Sequence, residues 1–117
     1  MPLFTVQSGK VFRLLDLIRT GKATDGTTDV TTASRLIAGQ NNHASRCFVR
    51  VPNGSPGSVL LAFNYATPST TDYDLPLYAG DQFTDVLHVN GNCLSLDSIY
   101  LVVTVDNTLV SVAALNY

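Results

Sequence analysis

Apolar and polar residues follow a period of about 3.6 in one place and a period of two almost everywhere else. In KVFRLLDLIRTG, residues 10–21, Val11, Leu14, Leu15 and Ile18 stand at i, i+3, i+4 and i+7, with Arg13, Asp16 and Arg19 at other positions. This spacing predicts one short amphipathic helix with Gly21 as its C-cap. Read as a strand, the same stretch would place Asp16 on the face of Phe12, Leu14 and Ile18 and bury a carboxylate.

The remaining apolar runs read as strands. LFTV (3–6) is short and closes at Ser8-Gly9, and RCFVRV (46–51) sets Cys47, Val49 and Val51 against Arg46, Phe48 and Arg50. PNGSPG (52–57) is a turn, and it predicts a hairpin between RCFVRV and SVLLAFNY (58–65). In LPLYAGDQFTDVLHV (75–89), two strand pieces flank Ala79-Gly80-Asp81. Gly80 is expected at the flexible turn position and Asp81 as its cap, with Leu75, Leu77, Phe83 and Val86 in the core. Asn-Gly within VNGNC (89–93) predicts another hairpin. A last hairpin is expected from SIYLVVTVDNTLVSVAAL (98–115). With Asp106-Asn107 as its loop, Val105 would pair with Thr108, Val103 with Val110, Leu101 with Val112 and Ile99 with Ala114, on one apolar face.

Between these runs lie KATDGTTDVTT (22–32), polar and Thr-rich, then ASRLIAG (33–39) as a short strand or turn, QNNHAS (40–45), and the loop ATPSTTDYD (66–74). Six to eight short strands separated by Gly, Pro, Asn and Asp turns predict an all-β fold. The expected form is a jelly-roll-like antiparallel β-sandwich with one short N-terminal helix. A chain of 117 residues fits a single domain over 1–117. Within it, 1–33 is expected as an N-terminal arm, short helix and Thr-rich loop, and 34–117 as the sandwich core.

Composition sharpens this picture. Charged residues make up 14% of the chain, against about 25% in an ordinary domain, so the surface is unusually neutral. Every one of the nine acidic residues is Asp, and the absence of Glu removes a usual filler of exposed helix faces. A net charge of −2 supplies no basic field for a phosphate backbone, so no nucleic-acid partner is expected. The apolar runs are far shorter than the roughly 20 residues of a membrane helix, so no membrane partner is expected either. MPLFTVQSGKVF carries no basic segment leading into an apolar core, which predicts no secretory signal and synthesis in the cytoplasm. A surface rich in Thr, Ser and Asn loses little solvation when covered, which suits a protein held against another protein.

Candidate chemistry is sparse. Cys47 and Cys93 fit a disulfide or two buried thiols, with buried thiols the preferred reading, and their spacing matches no zinc pattern. His43 lies in a loop and His88 in an alternating stretch. No G-x-S-x-G elbow surrounds a serine, and a thiol dyad built on Cys47 gives way to its core position in a strand. Two separated histidines and no Glu starve a cupin-type metal site of ligands. Asp72, Asp74, Asp81 and Asp85 are candidate calcium ligands, but Asp is also an ordinary turn residue and no EF-hand spacing exists. Tyr65, Tyr73, Tyr78 and Tyr100 offer a weak stacking surface for sugar, weak because the chain has no Trp. No catalytic residue, cofactor or metal site is therefore assigned, and the chain is expected not to be an enzyme.

DYDLPLYAGDQFTDV (72–86), then LSLDSIYLVVTVDNTLVSVAAL (94–115), together with the earlier FRLLDLIRTG, resemble a pattern common in small virion proteins of tailed bacteriophages. The resemblance is one of residue types and spans roughly two thirds of the chain. It implies a capsid decoration or cement protein, β-rich and without catalysis, that assembles as a trimer or dimer and binds a major capsid protein or another virion protein to stabilise the head. The implied location is the virion. The alternative it leaves is a fibre or tail accessory domain that binds a receptor or glycan. Low charge and lack of periodicity make the N-terminal segment, expected to be mobile, and the Thr-rich loop the candidate partner contacts, the loop through Lys22, Thr24, Thr27, Thr28, Val30 and Thr31. On that reading, deletion of residues 22–32 abolishes particle binding and leaves the fold intact.

Overall fold

The computed structural model describes residues 3–32, 46–86, 88–89, 92–93 and 98–115. ASRLIAG and His43 lie outside them. In chain order the elements are β1 (Leu3–Val6), β2 (Phe12–Arg13), α1 (Leu14–Thr20), β3 (Val30–Thr32), β4 (Arg46–Arg50), β5 (Val59–Phe63), β6 (Leu75–Leu77), β7 (Gln82–Val86), β8 (His88–Val89), β9 (Asn92–Cys93), β10 (Ile99–Val103) and β11 (Thr108–Leu115). One sheet has the order β3-β1-β11-β4-β7 and the other β2-β10-β5-β6, with β8-β9 as a separate pair. All neighbours within the sheets are antiparallel. With β3 set aside as an added edge strand, the two four-stranded sheets interleave as a jelly roll, the architecture that the turn spacing predicts.

Alternation places the core. Phe4 and Val6, Cys47 and Val49, and Val110 and Val112 face inward from the first sheet; Phe12, Val59, Leu61, Leu77, Ile99, Leu101 and Val103 meet them from the second, all buried. Each buried aliphatic or aromatic side chain contributes about 1.5–3 kcal/mol over exposure, so the two inner faces dominate stability.

The helix occurs where expected but starts at Leu14, because Phe12 and Arg13 pair with Leu101 and Tyr100 of β10 before the chain turns helical. Its buried face is Leu14, Leu15, Leu17 and Ile18, so Leu17 takes the place that the spacing assigns to Val11. Arg13 Nε and Nη2 donate to Asp16 Oδ2 and Oδ1, both at 2.9 Å, across the first turn. Gly21 ends the helix in the left-handed region, φ 68°, donating its N–H to the carbonyls of Asp16 and Leu17.

Two of the expected hairpins are absent. β4 pairs with β11 and β7, whereas β5 pairs with β10 and β6, so PNGSPG carries the chain from one sheet to the other. Likewise β10 and β11 lie in opposite sheets. Leu101 is opposite Leu61 and Phe12, and Val110 is opposite Phe4. The apolar rows of β10 and β11 do share an environment, but across the core and not side by side. Only the Asn-Gly turn among the three closes a hairpin, with Val89 opposite Asn92. Nor does 1–33 precede a sandwich made by 34–117: β1 lies inside the first sheet, β2 joins the second, and Phe4, Val6 and Phe12 belong to the core.

Four crossings between sheets, at 7–11, 51–58, 78–81 and 104–107, gather at one end of the sandwich. Polar side chains bind them together. Ser8 N and Oγ donate to Asp106 Oδ1 at 2.9 and 2.7 Å, and Gln7 Nε2 donates to Asn107 Oδ1 at 3.0 Å. Leu109 N donates to Ser55 Oγ at 3.0 Å and Ser58 N to Thr104 Oγ1 at 2.9 Å. At the Tyr78–Asp81 turn, Gly80 has φ 92° and its N–H donates to Val51 O at 2.7 Å. Asp81 caps this turn, its carboxylate accepting the Tyr78 N–H at 2.9 Å. Leu77 is buried, Leu75 and Phe83 pack against the core, and the side chain of Val86 lies outside the described residues.

Candidate interaction surface

The Thr-rich loop folds into a tied turn beside the sheet edge. Ala23 is buried, its N–H donating to Thr27 O at 2.8 Å, and Thr24 N donates to Val11 O at 2.9 Å. Asp25 Oδ1 accepts from Thr27 Oγ1 at 2.6 Å and Thr27 N at 3.0 Å, while Lys10 Nζ reaches Asp25 Oδ2 at 2.9 Å. The Thr27 hydroxyl, then Lys10, hold the Asp25 carboxyl well below the usual carboxylate range. Of the candidate interface residues, Lys22, Thr24, Thr27, Thr28 and Thr31 are exposed, but Thr27 is engaged in building the turn. Val30 is half-buried and packs on the core. Since Val30–Thr32 is the strand β3 paired with β1, removing residues 22–32 would strip a strand from the sheet. The deletion expected to spare the fold therefore does not spare it.

A second surface adjoins this loop. On the outer face of the five-stranded sheet, register brings three cross-strand rows together: Ala113, Phe48 and Thr84; Leu3, Ser111, Arg50 and Gln82; and Thr31, Thr5 and Leu109. Arg50 is the one charge among these ten positions, the register continues into a fourth row of Leu115, Arg46 and Val86, and Leu3, Thr5, Phe48, Leu109, Ser111 and Ala113 are half-buried. The other sheet is different. Its outward-directed Leu60, Ala62 and Val102 are 3%, 0% and 6% exposed, so the middle of that outer face is covered, while Tyr100 and Arg13 on it are half-buried.

The loop carboxylates serve the backbone and nearby hydroxyls. Asp74 accepts the Phe63 N–H at 2.8 Å, Asp72 accepts the Tyr65 hydroxyl at 2.7 Å, and Asp81 caps its turn. The side chains of Asp85, His88 and Cys93 lie outside the described residues, and among the described residues no three His, Cys, Asp or Glu side chains group to hold a metal ion. Cys47 is a buried thiol on β4. The tyrosines do not form one platform. Tyr65 and Tyr73 stand on the loop after β5, Tyr78 at the crossing end, and Tyr100 on the outer face of the second sheet opposite Arg13. There Arg13, Asp16, Thr24, Ala66 and Tyr100 line a shallow cleft of about 260 Å³.

No protein-family model matches the chain, and no curated protein or solved structure matches it either.

Proposed function

We propose that this chain is a non-enzymatic structural protein of a phage virion, a capsid decoration or cement protein that binds and stabilises the assembled head. The observation that carries this reading is the neutral surface formed by the outer face of the five-stranded sheet and the exposed threonines beside β3. Such a surface loses little solvation when it is covered by a second protein. The jelly roll itself hosts many activities and supports the reading by analogy alone; the resemblance of 72–86 and 94–115 to small virion proteins adds to it. In this role many copies, each making a modest contact across capsid seams, stabilise the shell through their number and by binding the assembled state alone. The protein works in the virion after synthesis in the host cytoplasm, with a major capsid protein as its partner.

The test is co-sedimentation with phage heads prepared without the protein, followed by thermal disruption of the heads. Bound protein and a higher disruption temperature are expected. Protein left wholly in the supernatant refutes the reading. Within the wild-type fold, Thr28→Arg and Thr31→Arg probe the loop, because both residues are exposed and neither side chain holds the turn; each is expected to weaken head binding at least tenfold.

The polar cleft beside Tyr100 favours a second reading, a fibre or tail accessory domain that holds a glycan. Binding on a glycan array that is lost in Tyr100→Ala, with no retention on heads, selects it over cement.

A further inference from the structure

We propose that Asn53 is a site of spontaneous covalent modification in the folded protein: its side chain cyclises onto the Gly54 nitrogen and opens to aspartate or isoaspartate, and the product loosens the crossing end of the sandwich. This chemistry belongs to the chain itself and stands apart from the virion reading.

The reaction needs a side-chain amide next to a backbone nitrogen that is sterically open and unengaged. Asn53 and Gly54 are the central residues of a β-turn closed by Ser55 N, which donates to Pro52 O at 3.0 Å, and both are exposed. Among the described residues, neither the Gly54 N–H nor the Asn53 side chain has a hydrogen-bond partner. A Cβ placed on Gly54 would meet nothing within 4 Å, and glycine has no Cβ of its own to shield its nitrogen. Ring closure requires rotation within the turn, and an exposed turn held by one backbone bond opens at little cost.

The step balances within the chain and solvent. Gly54 N attacks Asn53 Cγ, so the N–Cγ bond forms and the Cγ–Nδ2 bond breaks. Nδ2 leaves as ammonia, carrying the proton from Gly54 N. Tethering on adjacent residues supplies the proximity that the same reaction between separate molecules lacks. Water then opens the five-membered imide. Addition at Cγ yields an aspartate, whereas addition at the main-chain carbonyl yields an isoaspartate, whose backbone runs through Cβ and is one atom longer.

The surroundings give the product a consequence. Asn53 Oδ1 lies 2.6 Å from the position that a Cβ on Gly80 would take, so the side chain rests on the Tyr78–Asp81 turn. A carboxylate there adjoins Asp81, which caps that turn by accepting the Tyr78 N–H, and like charges oppose each other. Both flanks of the Asn53-Gly54 turn are anchored. Val51 O accepts the Gly80 N–H and Val51 N donates to Asp81 O, while Ser55 Oγ accepts the Leu109 N–H. An extra backbone atom between fixed ends breaks the bond from Ser55 N to Pro52 O or pulls on those anchors.

The test ages the folded wild-type chain at mildly alkaline pH and digests it, beside a fresh control, with chymotrypsin. The peptides separate Asn53 from Asn90-Gly91, the other Asn-Gly pair of the chain, and mass spectrometry scores both aspartate and isoaspartate. Conversion at Asn53 is expected within about tenfold of its rate in guanidinium-unfolded chain, because the exposed turn opens readily. Gly54→Ala should slow it by about tenfold or more, since a methyl group then crowds the attacking nitrogen. Aged wild type should melt below fresh wild type. Asn53→Gln, whose longer side chain closes only a less favoured six-membered ring, should keep its melting temperature on ageing. An Asn53 that converts only in the unfolded chain, or as fast in Gly54→Ala, overturns the site. Equal losses of melting temperature in aged wild type and aged Asn53→Gln overturn its effect on the crossing end.

Discussion

Replacing Gly57 with alanine tests whether the crossing end is packed as tightly as its hydrogen bonds imply. A Cβ on Gly57 would lie 2.5 Å from Val105 Cγ2 and 2.9 Å from Thr104 Oγ1, and nearer still to Thr108 Oγ1. Ordinary contacts between carbon atoms are about 3.5–4.0 Å. Val105 is exposed and can rotate away. Thr108 cannot: it is fully buried and its hydroxyl donates to Val105 O at 2.7 Å. Thr104 is held as well, its Oγ1 accepting from Ser58 N at 2.9 Å while its own N–H donates to Ser58 O at 3.1 Å. Overpacking of this kind costs about 1–3 kcal/mol, and a lost hydrogen bond adds about 1 kcal/mol, so Gly57→Ala is expected to destabilise by about 2–4 kcal/mol. At about 4 °C per kcal/mol for a domain of this size, the melting temperature falls by about 8–16 °C. Gly54 is the internal control, since a Cβ there meets nothing within 4 Å, and Gly54→Ala should stay within about 0.5 kcal/mol of wild type. Thr108→Ala removes the nearest obstructing oxygen, so Gly57→Ala/Thr108→Ala should be less destabilised than the sum of its singles by about 1 kcal/mol. Urea unfolding followed by far-UV circular dichroism reads all four proteins. Equal midpoints for Gly54→Ala and Gly57→Ala, or strict additivity with Thr108→Ala, would refute the packing account.

Leu17→Ala should cost about 2–5 kcal/mol in urea unfolding, because Leu17 is fully buried in the central cluster, whereas Arg19→Ala on the exposed side should cost little; similar costs for the two would mean that α1 does not seal the core. Acid stability should depend on Asp25, held low by the Thr27 hydroxyl and Lys10, and on Asp106, held low by the Ser8 hydroxyl and N–H. Carboxyls depressed in the folded state stabilise it fully above their unfolded value near 3.9, and this stabilisation disappears as pH falls below that value. Asp25→Asn/Asp106→Asn is therefore expected to show a shallower fall in urea midpoint from about pH 5 to about pH 2.5; parallel curves would remove both carboxylates from the acid limb.

Much of the architecture was legible because local chemistry decides it. Gly21 stops a helix with or without tertiary structure, Gly80 and Asp81 make the same turn wherever it docks, and the period of two identifies the inward residues of β1, β4 and β11. Pairing is another matter. Alternation says that Val103 and Val110 both face the core, but two strands in one sheet and two strands in opposite sheets satisfy that pattern equally. PNGSPG and Asp106-Asn107 are turn sequences in either case, and the choice between hairpin and crossing rests on whether β5 and β10 find better partners in each other. They do, with Leu61 opposite Leu101 and Val59 opposite Val103. Only the Asn-Gly of VNGNC, a sequence preferred in two-residue hairpin loops, specified its pairing locally, with Val89 opposite Asn92.

The same ambiguity explains why the outer sheet face could not be nominated from the sequence. Leu3, Phe48 and Leu109 are separated by more than forty residues at each step, and each looks like an isolated half-buried position within its own strand. They become one surface only once β11 is known to lie between β1 and β4. A contiguous polar loop such as 22–32 can be nominated without that knowledge, so it is the natural first choice, yet part of it turns out to be structural: Ala23 is buried, Thr27 holds Asp25, and Val30 packs on the core. Thr28 and Thr31 stay exposed, and Thr31 shares a cross-strand row with Thr5 and Leu109. Loop and face are then neighbouring parts of one neutral surface, and a charge placed on either should weaken whichever partner spans both.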